Sequence, residues 1–474
     1  MLRVTIVGGG VSGVTVALRL ARSERPIQVD LVEPRSLLGA GLTYSATDPR
    51  HRVNVPTTRM SVEGEASEDF HRWYTERGED AADPDALADG CLYPRREAFG
   101  RYLDERVRGL FDRPGPLRLR HRRTQAVSAV HDGSGYAVRL ADGTTLCADA
   151  LVLCTGNPPP ELPGPLAALA GDARVTVDPW APGAAADVPP DGRVLIVGSG
   201  LSMGDAVATL DARGHRGPIV ALSRHGLVPR PRPFGFADSF GDFATDPPRR
   251  VSVLLRRVRA TLREAAAANR PWTDVLDAVR VQNGALWAAL PLEEKHRFRR
   301  HLRPYWDVHR FQSAPQIDRL VAEKRAVGAL TVRAGALVHA AARPDGLEIG
   351  HRRRGSDVVT VERFDALVNC TGAGHGAALR RNPLLAALAA AGLIQGDALG
   401  IGIAVDPDAR AVAADARPSP ALFVVGPPTR GTLGEVVGAS EIAPRANAVA
   451  ERLLTLEPVA GEEWVLEGTA SGGE

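Results

Sequence analysis

An α/β fold built from two similar units, one set inside the other, is predicted by three features of the chain. A short apolar strand at 2–7 (LRVTIV) runs straight into a glycine turn, GGGVSG, at 8–13. The same strand–turn–helix–strand succession returns at 193–222. The octapeptide DALVLCTG at 149–156 recurs as DALVNCTG at 365–372, and the pair brackets the second unit. Together they describe two Rossmann-like dinucleotide-binding domains, the second inserted into the first, with an additional helical insert.

In the first unit each residue of the turn has a physical task. Gly8 permits the tight turn, Gly10 lets the backbone approach a pyrophosphate, and Gly13 lets the following helix pack closely on the sheet. The helix start offers free N–H groups and the positive end of its dipole to phosphates. The second strand, 27–32 (IQVDLV), ends in Glu33, placed 20 residues beyond Gly13 to accept hydrogen bonds from ribose hydroxyls.

The second unit reads RVLIV, then GSGLSMGDA, then a helix to about Arg213 and the strand IVAL at 219–222. Gly198 and Gly200 match the first two glycines, while Met203 holds the third position and implies looser helix–strand packing, with Gly204 as a partial compensation. The strand ends in Ser223-Arg224-His225 with no acid. A carboxylate there would repel a 2′-phosphate, whereas a guanidinium can clamp one, so NADPH is favoured over NADH.

These features divide the chain into a first FAD-type part at 1–156, a Pro/Gly-rich linker at 157–192, an NADPH-type domain at 193–370, and a return segment at 371–474. Within the second unit, 226–327 carries helical periodicity: Val251, Leu254, Leu255, Val258 and Leu262 share one face. So long a segment exceeds what a strand connection needs. It reads equally as a substrate lid or as a packing and dimer element, and a homo-oligomer stays open. Near the end, ALFVVG at 421–426 is another buried strand, followed by a segment expected to turn into a helix carrying Glu435.

Composition narrows the function classes. The 474 residues include 58 basic and 56 acidic side chains, a near-cancellation that argues against nucleic acid or an anionic membrane as the main partner. No apolar run approaches the roughly 20 residues of a membrane span, and the first residues enter a strand and a glycine turn rather than a leader, so a cytoplasmic location is expected. Cys91, Cys147, Cys154 and Cys370 are widely spaced, which excludes the usual redox dithiol and an ordinary zinc site; no metal is expected.

With these parts in place the chain resembles the glutathione-reductase-like flavoproteins that carry two dinucleotide domains. It looks most like a bacterial family of FAD/NAD(P)-binding proteins related to flavin-dependent N-hydroxylating monooxygenases, some of whose members hydroxylate the nitrogen of aspartate. The resemblance is spread over GLTYSATDPRHRVNVPTTRMS (41–61), YPRREAFGRYL (93–103), VGSGLSMGDAV (197–207), RGHRGPIVALSRHGLVPR (213–230), RHLRPYWDVHRF (300–311) and LFVVGPPTRG (422–431).

It implies FAD contacts at Gly8, Gly10, Val11, Ser12, Gly13, Glu33, Thr155, Gly156 and Gly426, with Asn54 and Val55 beside the flavin ring. It implies NADPH contacts at Gly198, Gly200, Ser202 and Arg224, and a flavin-facing helix starting near Leu433. The chain departs from the family where Leu433 and Gly434 replace an aromatic pair before Glu435. Asp178-Pro179-Trp180 also lacks the histidine of a Baeyer–Villiger fingerprint, which disfavours ketone-to-ester chemistry.

A flavin beside a nicotinamide site accepts hydride first, and the reaction that follows depends on where the electrons go. Without a dithiol, O2 is the favoured acceptor. The expected activity is then a monooxygenase that N-hydroxylates an amino acid or other small amine through a C4a-hydroperoxyflavin. Asn54 is the candidate beside the flavin, and Arg310 and His309 are candidates to receive a substrate carboxylate. The alternative is an NADPH-dependent flavin oxidoreductase that does not oxygenate its substrate, and a third reading is a dinucleotide-binding scaffold or redox sensor.

Overall fold

The computed structural model describes residues 1–63, 68–232, 239–375 and 378–458. Parts of the expected insert (233–238) and of the return segment (376–377 and 459–474) lie outside the described residues.

The chain forms two large sheets with matching strand orders. The first sheet runs Arg410–Val412, Pro418–Val424, Ala150–Leu153, Leu2–Val7, Ile27–Val32, Leu117–Arg122. All neighbours in it are parallel except the Arg410–Val412 edge. The second runs Val175–Thr176, Ala366–Asn369, Val194–Val197, Ile219–Ser223, Leu330–Arg343, Gly346–Arg353, Val359–Phe364. Its first five strands are parallel and its last two form an antiparallel extension.

The strands Leu2–Val7 and Ile27–Val32 have the bounds the sequence predicts, because each is a continuous apolar run bounded by turn residues. The helix between them, Val11–Leu20, is buried on nearly every side, between the sheet and the late helix Ala439–Thr455. The recurring strands, Ala150–Leu153 and Ala366–Asn369, hold equivalent places: each lies beside the first strand of its own unit. The chain returns to the first sheet with Pro418–Val424.

Two expectations are corrected. The Pro/Gly-rich stretch is not only a linker, since Val175–Thr176 is the edge strand of the second sheet and Gly164–Leu169 forms a short turn of helix against its strand Leu330–Arg343. The expected helix near Leu433 does not start there. A four-residue helix, Arg430–Leu433, ends at that residue, Gly434 turns the chain at φ 85°, and the long helix begins at Ala439. Glu435 therefore sits in the loop between the two helices, not on a helix.

The insert folds as a layer of helices, among them Val251–Ala267, Trp272–Val281, Asn283–Ala289, Leu292–His301, Arg303–Arg310 and Pro315–Ala326. It has its own apolar cluster, in which Leu254, Val258 and Leu262 pack against Phe243, Val275, Ala278 and Leu286. Pro315–Ala326 lies on the helix Leu201–Ala212, and this contact explains Gly204. A β-carbon there would press on Ile317 at 2.6 Å, so Gly204 makes room for the insert rather than compensating for Met203.

A buried ion pair joins the two units. Arg96 Nη2 lies 2.8 Å from Asp205 Oδ2, and Trp180 Nε1 donates to the same oxygen at 3.1 Å. Nearby, His51 Nε2 meets Thr209 Oγ1 at 3.0 Å and that hydroxyl donates to Asp48 Oδ2 at 2.5 Å. Among the described residues, no helix is long and apolar enough to cross a membrane.

Candidate functional site

Each unit builds a cradle at the top of its sheet. In the first, Val11–Leu20 starts at Gly10 with no side-chain cap and no acid in its first turn, although Ser12 and Gly13 are buried. A buried helix end normally finds partners for its free N–H groups, and an uncapped start of this kind is suited to an anion. Gly39 donates to the Gly9 carbonyl at 2.6 Å, and a β-carbon on Gly10 would stand 3.3 Å from the Gly41 Cα, so the segment Leu38–Gly41 closes one side. Sequence reasoning missed this second glycine pair; its signal is the G-x-G that follows soon after the acid.

Glu33 is buried and accepts from the Gly9 amide at 3.0 Å and from the Arg35 amide and Nε at 3.1 and 3.0 Å. Gly8 turns at φ 105° against the Cys154 carbonyl, which brings Thr155 and Gly156 to the turn. Gly426 lies over the Ser12 hydroxyl from the other side. Val11 and Val55 pack on the core beneath.

In the second unit Leu201–Ala212 likewise starts uncapped at Gly200, where a β-carbon would meet open space. Gly198 turns at φ 110° against the Cys370 carbonyl, and the Cys370 thiol lies 3.3 Å from the Ser202 carbonyl oxygen. Ser199 Oγ donates to Ser223 Oγ at 2.7 Å and ties the turn to the end of the next strand. There Arg224 is exposed, and His225 Nδ1 stands 3.0 Å from Arg354 Nη1. Partial burial, with Arg354 and Arg224 adding to it, pushes the His225 imidazole below its usual range. Arg354 comes from the antiparallel extension, and no local motif announces it.

A polar cluster lies where the 54–59 loop, the insert and the return segment meet. Asn54 Nδ2 donates to the Gln312 carbonyl at 3.1 Å, which fixes that loop to the insert. Trp306 Nε1 donates to Glu435 Oε2 at 2.9 Å, and Arg310 Nε lies 2.5 Å from Glu435 Oε1. Arg310 Nη2 also reaches Glu441 Oε1 at 2.9 Å, where Arg280 Nη1 joins it at 3.0 Å. Burial pushes the Glu435 carboxyl up, against the opposing pull of Arg310. Glu441 is held below its usual range, because Arg310 and Arg280 outweigh its burial.

Two expected roles change here. Arg310, expected to await a substrate carboxylate, is already held between two largely buried carboxylates of the protein. His309 is turned to its own helix, with Nδ1 2.7 Å from the Tyr305 carbonyl and its ring edgewise on Trp272 at 5.4 Å. Leu433 packs on the core next to the cluster. The acids Glu435 and Glu441 and the indole of Trp306 were not legible as site residues, since their meeting depends on three distant segments.

A family model described as FAD-NAD(P)-binding matches residues 5–158. No curated protein sequence matches the chain significantly. Among solved structures the chain is similar to the ornithine N-hydroxylase of Kutzneria sp. 744, with 18% identity, TM-score 0.62, and 95% of this chain and 98% of that one covered. It is similar to L-lysine 6-monooxygenase from Pseudomonas syringae at 18% identity and TM-score 0.61, over 95% of this chain and 98% of that one. The thioredoxin reductase of Lactococcus lactis also matches, at 11% identity and TM-score 0.51, over 96% of this chain and 98% of that one. At such identities the likeness shows the fold: two dinucleotide-type α/β units in one chain, as the sequence predicts.

Proposed function

We propose that this chain is an FAD-dependent, NADPH-using monooxygenase that hydroxylates the nitrogen of an amino acid or another small amine. The observation that carries the reading is the largely buried cluster of Trp306, Arg310, Glu435 and Glu441, which the insert and the return segment build together in a chain that also carries two uncapped glycine cradles. The family model over residues 5–158 supports FAD in the first cradle, and the hydroxylase of Kutzneria sp. 744, solved with reduced FAD, NADP+ and L-ornithine, supports both coenzymes and the substrate class.

The first cradle would hold FAD through the free N–H groups beyond Gly10 and through Glu33. The second would hold NADPH through the turn at Gly198–Gly200, with Arg224, His225 and Arg354 at the 2′-phosphate. Bound FAD supplies the two-electron chemistry with NADPH and O2. The protein's part is to bind the amine, keep water out and manage its proton. An amine is nucleophilic only when neutral, and Glu435, with its carboxyl raised by burial, is suited to take the ammonium proton at Oε2, where Trp306 now donates. Asn54 holds its loop against the insert, where it would stand beside the bound flavin.

Dithiol chemistry is disfavoured. Among the described residues all four cysteines are free, and burial pushes the Cys154 and Cys370 thiols up, far from a reactive thiolate. The test is NADPH oxidation and O2 uptake by the purified chain with a panel of amino acids and diamines, with product masses recorded. A product that gains one oxygen atom on nitrogen, formed in proportion to NADPH consumed, supports the reading. NADPH oxidation with transfer of electrons to another acceptor, and no oxygenated product, would replace it by a plain flavin oxidoreductase.

A further inference from the structure

A second group of charged side chains lies apart from the Arg310 cluster, on the other end of the helix Arg303–Arg310. Among the described residues, Arg430 of the return segment has its Nε and Nη2 buried with no hydrogen-bond partner. Arg299, from Leu292–His301, spends Nη1 on the Leu399 carbonyl and leaves its buried Nε without a partner among the same residues. Asp397 is an acid that acts on both: it holds the Leu399 amide at 2.7 Å, and its carboxylate fills the space a β-carbon on Gly431 would take. Its oxygens are thereby occupied by backbone. Asp307 is the other acid, and it faces Arg303 Nε at 3.3 Å.

Buried guanidinium nitrogens are costly unless paired, and like charges gathered together make the cost larger. The group sets Arg299, Arg303 and Arg430 against two acids, one already committed to backbone. Burial, together with Arg303 and Arg299 and against the pull of Asp397, pushes the Arg430 guanidinium down to about 10. Burial and the same three arginines push His375 down to about 3.

We propose that Arg430, Arg299 and Arg303 form an interdomain site for a phosphate-class oxyanion, carried either by the coenzyme or by a free phosphate. The orphaned nitrogens supply a planar fork suited to such a group. Its place makes the 2′-phosphate, proposed above for Arg224 and His225, the coenzyme group in question: Asp307 also feels Arg224, at the strand end of the second cradle, and the ring of Tyr305 in the same helix lies 5.9 Å from that of His225. A phosphate bound here would draw the return segment, the insert and the second unit together. The coenzyme as source rests on the function proposed above; the oxyanion pocket does not.

The full chain as purified, its Arg430→Gln variant and, as a second probe of the pocket, Arg303→Gln are compared by thermal denaturation in increasing inorganic phosphate, with chloride at equal ionic strength as control. Binding to the native state alone raises the midpoint with ligand concentration. Phosphate is expected to raise the wild-type midpoint beyond the chloride control, and to do so much less in either variant. NADP+ affinity is measured alongside by titration calorimetry. A loss of about tenfold or more in Arg430→Gln assigns the oxyanion to the coenzyme. Unchanged NADP+ affinity with a lost phosphate response assigns it to a free phosphate. A phosphate response equal in all three proteins, or none in the wild type with NADP+ affinity unchanged in Arg430→Gln, overturns the site. A wild type that responds to phosphate but binds no NADP+ keeps the site and defeats the coenzyme reading instead.

Discussion

Gly198 packs so closely on Cys370 that a β-carbon at 198 would overlap the Cys370 carbonyl oxygen, and Gly8 stands in the same relation to Cys154. Both glycines have positive φ, at 110° and 105°. In each unit the first glycine of the turn and the end of the neighbouring strand are thus one fitted pair, which explains why the octapeptide ending in Cys-Thr-Gly occurs twice. The strand must stop where the turn needs its carbonyl.

The division of ligands proposed above, FAD in the first cradle and NADPH in the second, can be tested by Gly8→Ala and Gly198→Ala. A side chain at positive φ costs about 1 kcal/mol or more before any clash is counted. Gly198→Ala should keep the flavin absorbance of the purified protein while NADPH affinity falls by about tenfold or more. Gly8→Ala should yield protein without bound flavin. Loss of both ligands in both variants would show that the two cradles do not divide the coenzymes between them.

The Arg96–Asp205 pair is a buried ionic link between the units, with side-chain exposures of 8% and 3%. Removing one partner strands a buried charge, at a typical cost of about 3–5 kcal/mol. Arg96→Met should lower the unfolding free energy in urea by an amount of that order. Arg96→Met with Asp205→Asn should recover part of it, because the amide still accepts from the Trp180 indole. A double variant as unstable as the sum of the single ones would argue against a coupled pair.

Acid should weaken the second unit through Glu362. Its carboxylate receives Arg193 Nη2 at 2.6 Å, Arg333 Nη1 at 2.8 Å and His351 Nε2 at 2.6 Å. Burial alone would raise this carboxyl, but these partners hold it down to about 2. A depressed acid contributes stability that is complete above its unfolded value of about 4.5 and is lost as pH falls toward about 2. Unfolding free energy measured across that window should therefore drop in the wild type and drop less steeply in Glu362→Gln. Parallel pH profiles would mean that the contacts of Glu362 contribute no net linkage.

The sequence by itself determined the two α/β units, their nesting and the residues of both glycine turns. These are local properties: an apolar run of fixed length, a turn only glycine can make, and an acid or its absence at the next strand end. The strands Leu2–Val7 and Ile27–Val32 could be read to the residue for that reason. Tertiary structure alone decided the rest. It turned part of the expected linker into a strand and moved the last long helix from Leu433 to Ala439, because edge pairing and a glycine at φ 85° outweighed local pattern. It also committed Arg310 to Glu435 and Glu441, through contacts between segments more than a hundred residues apart, and left Nε and Nη2 of Arg430 without a hydrogen-bond partner among the described residues. A charged side chain shows its type in sequence, but its pairing depends on which distant carboxylate the fold delivers to it, and no local pattern carries that information.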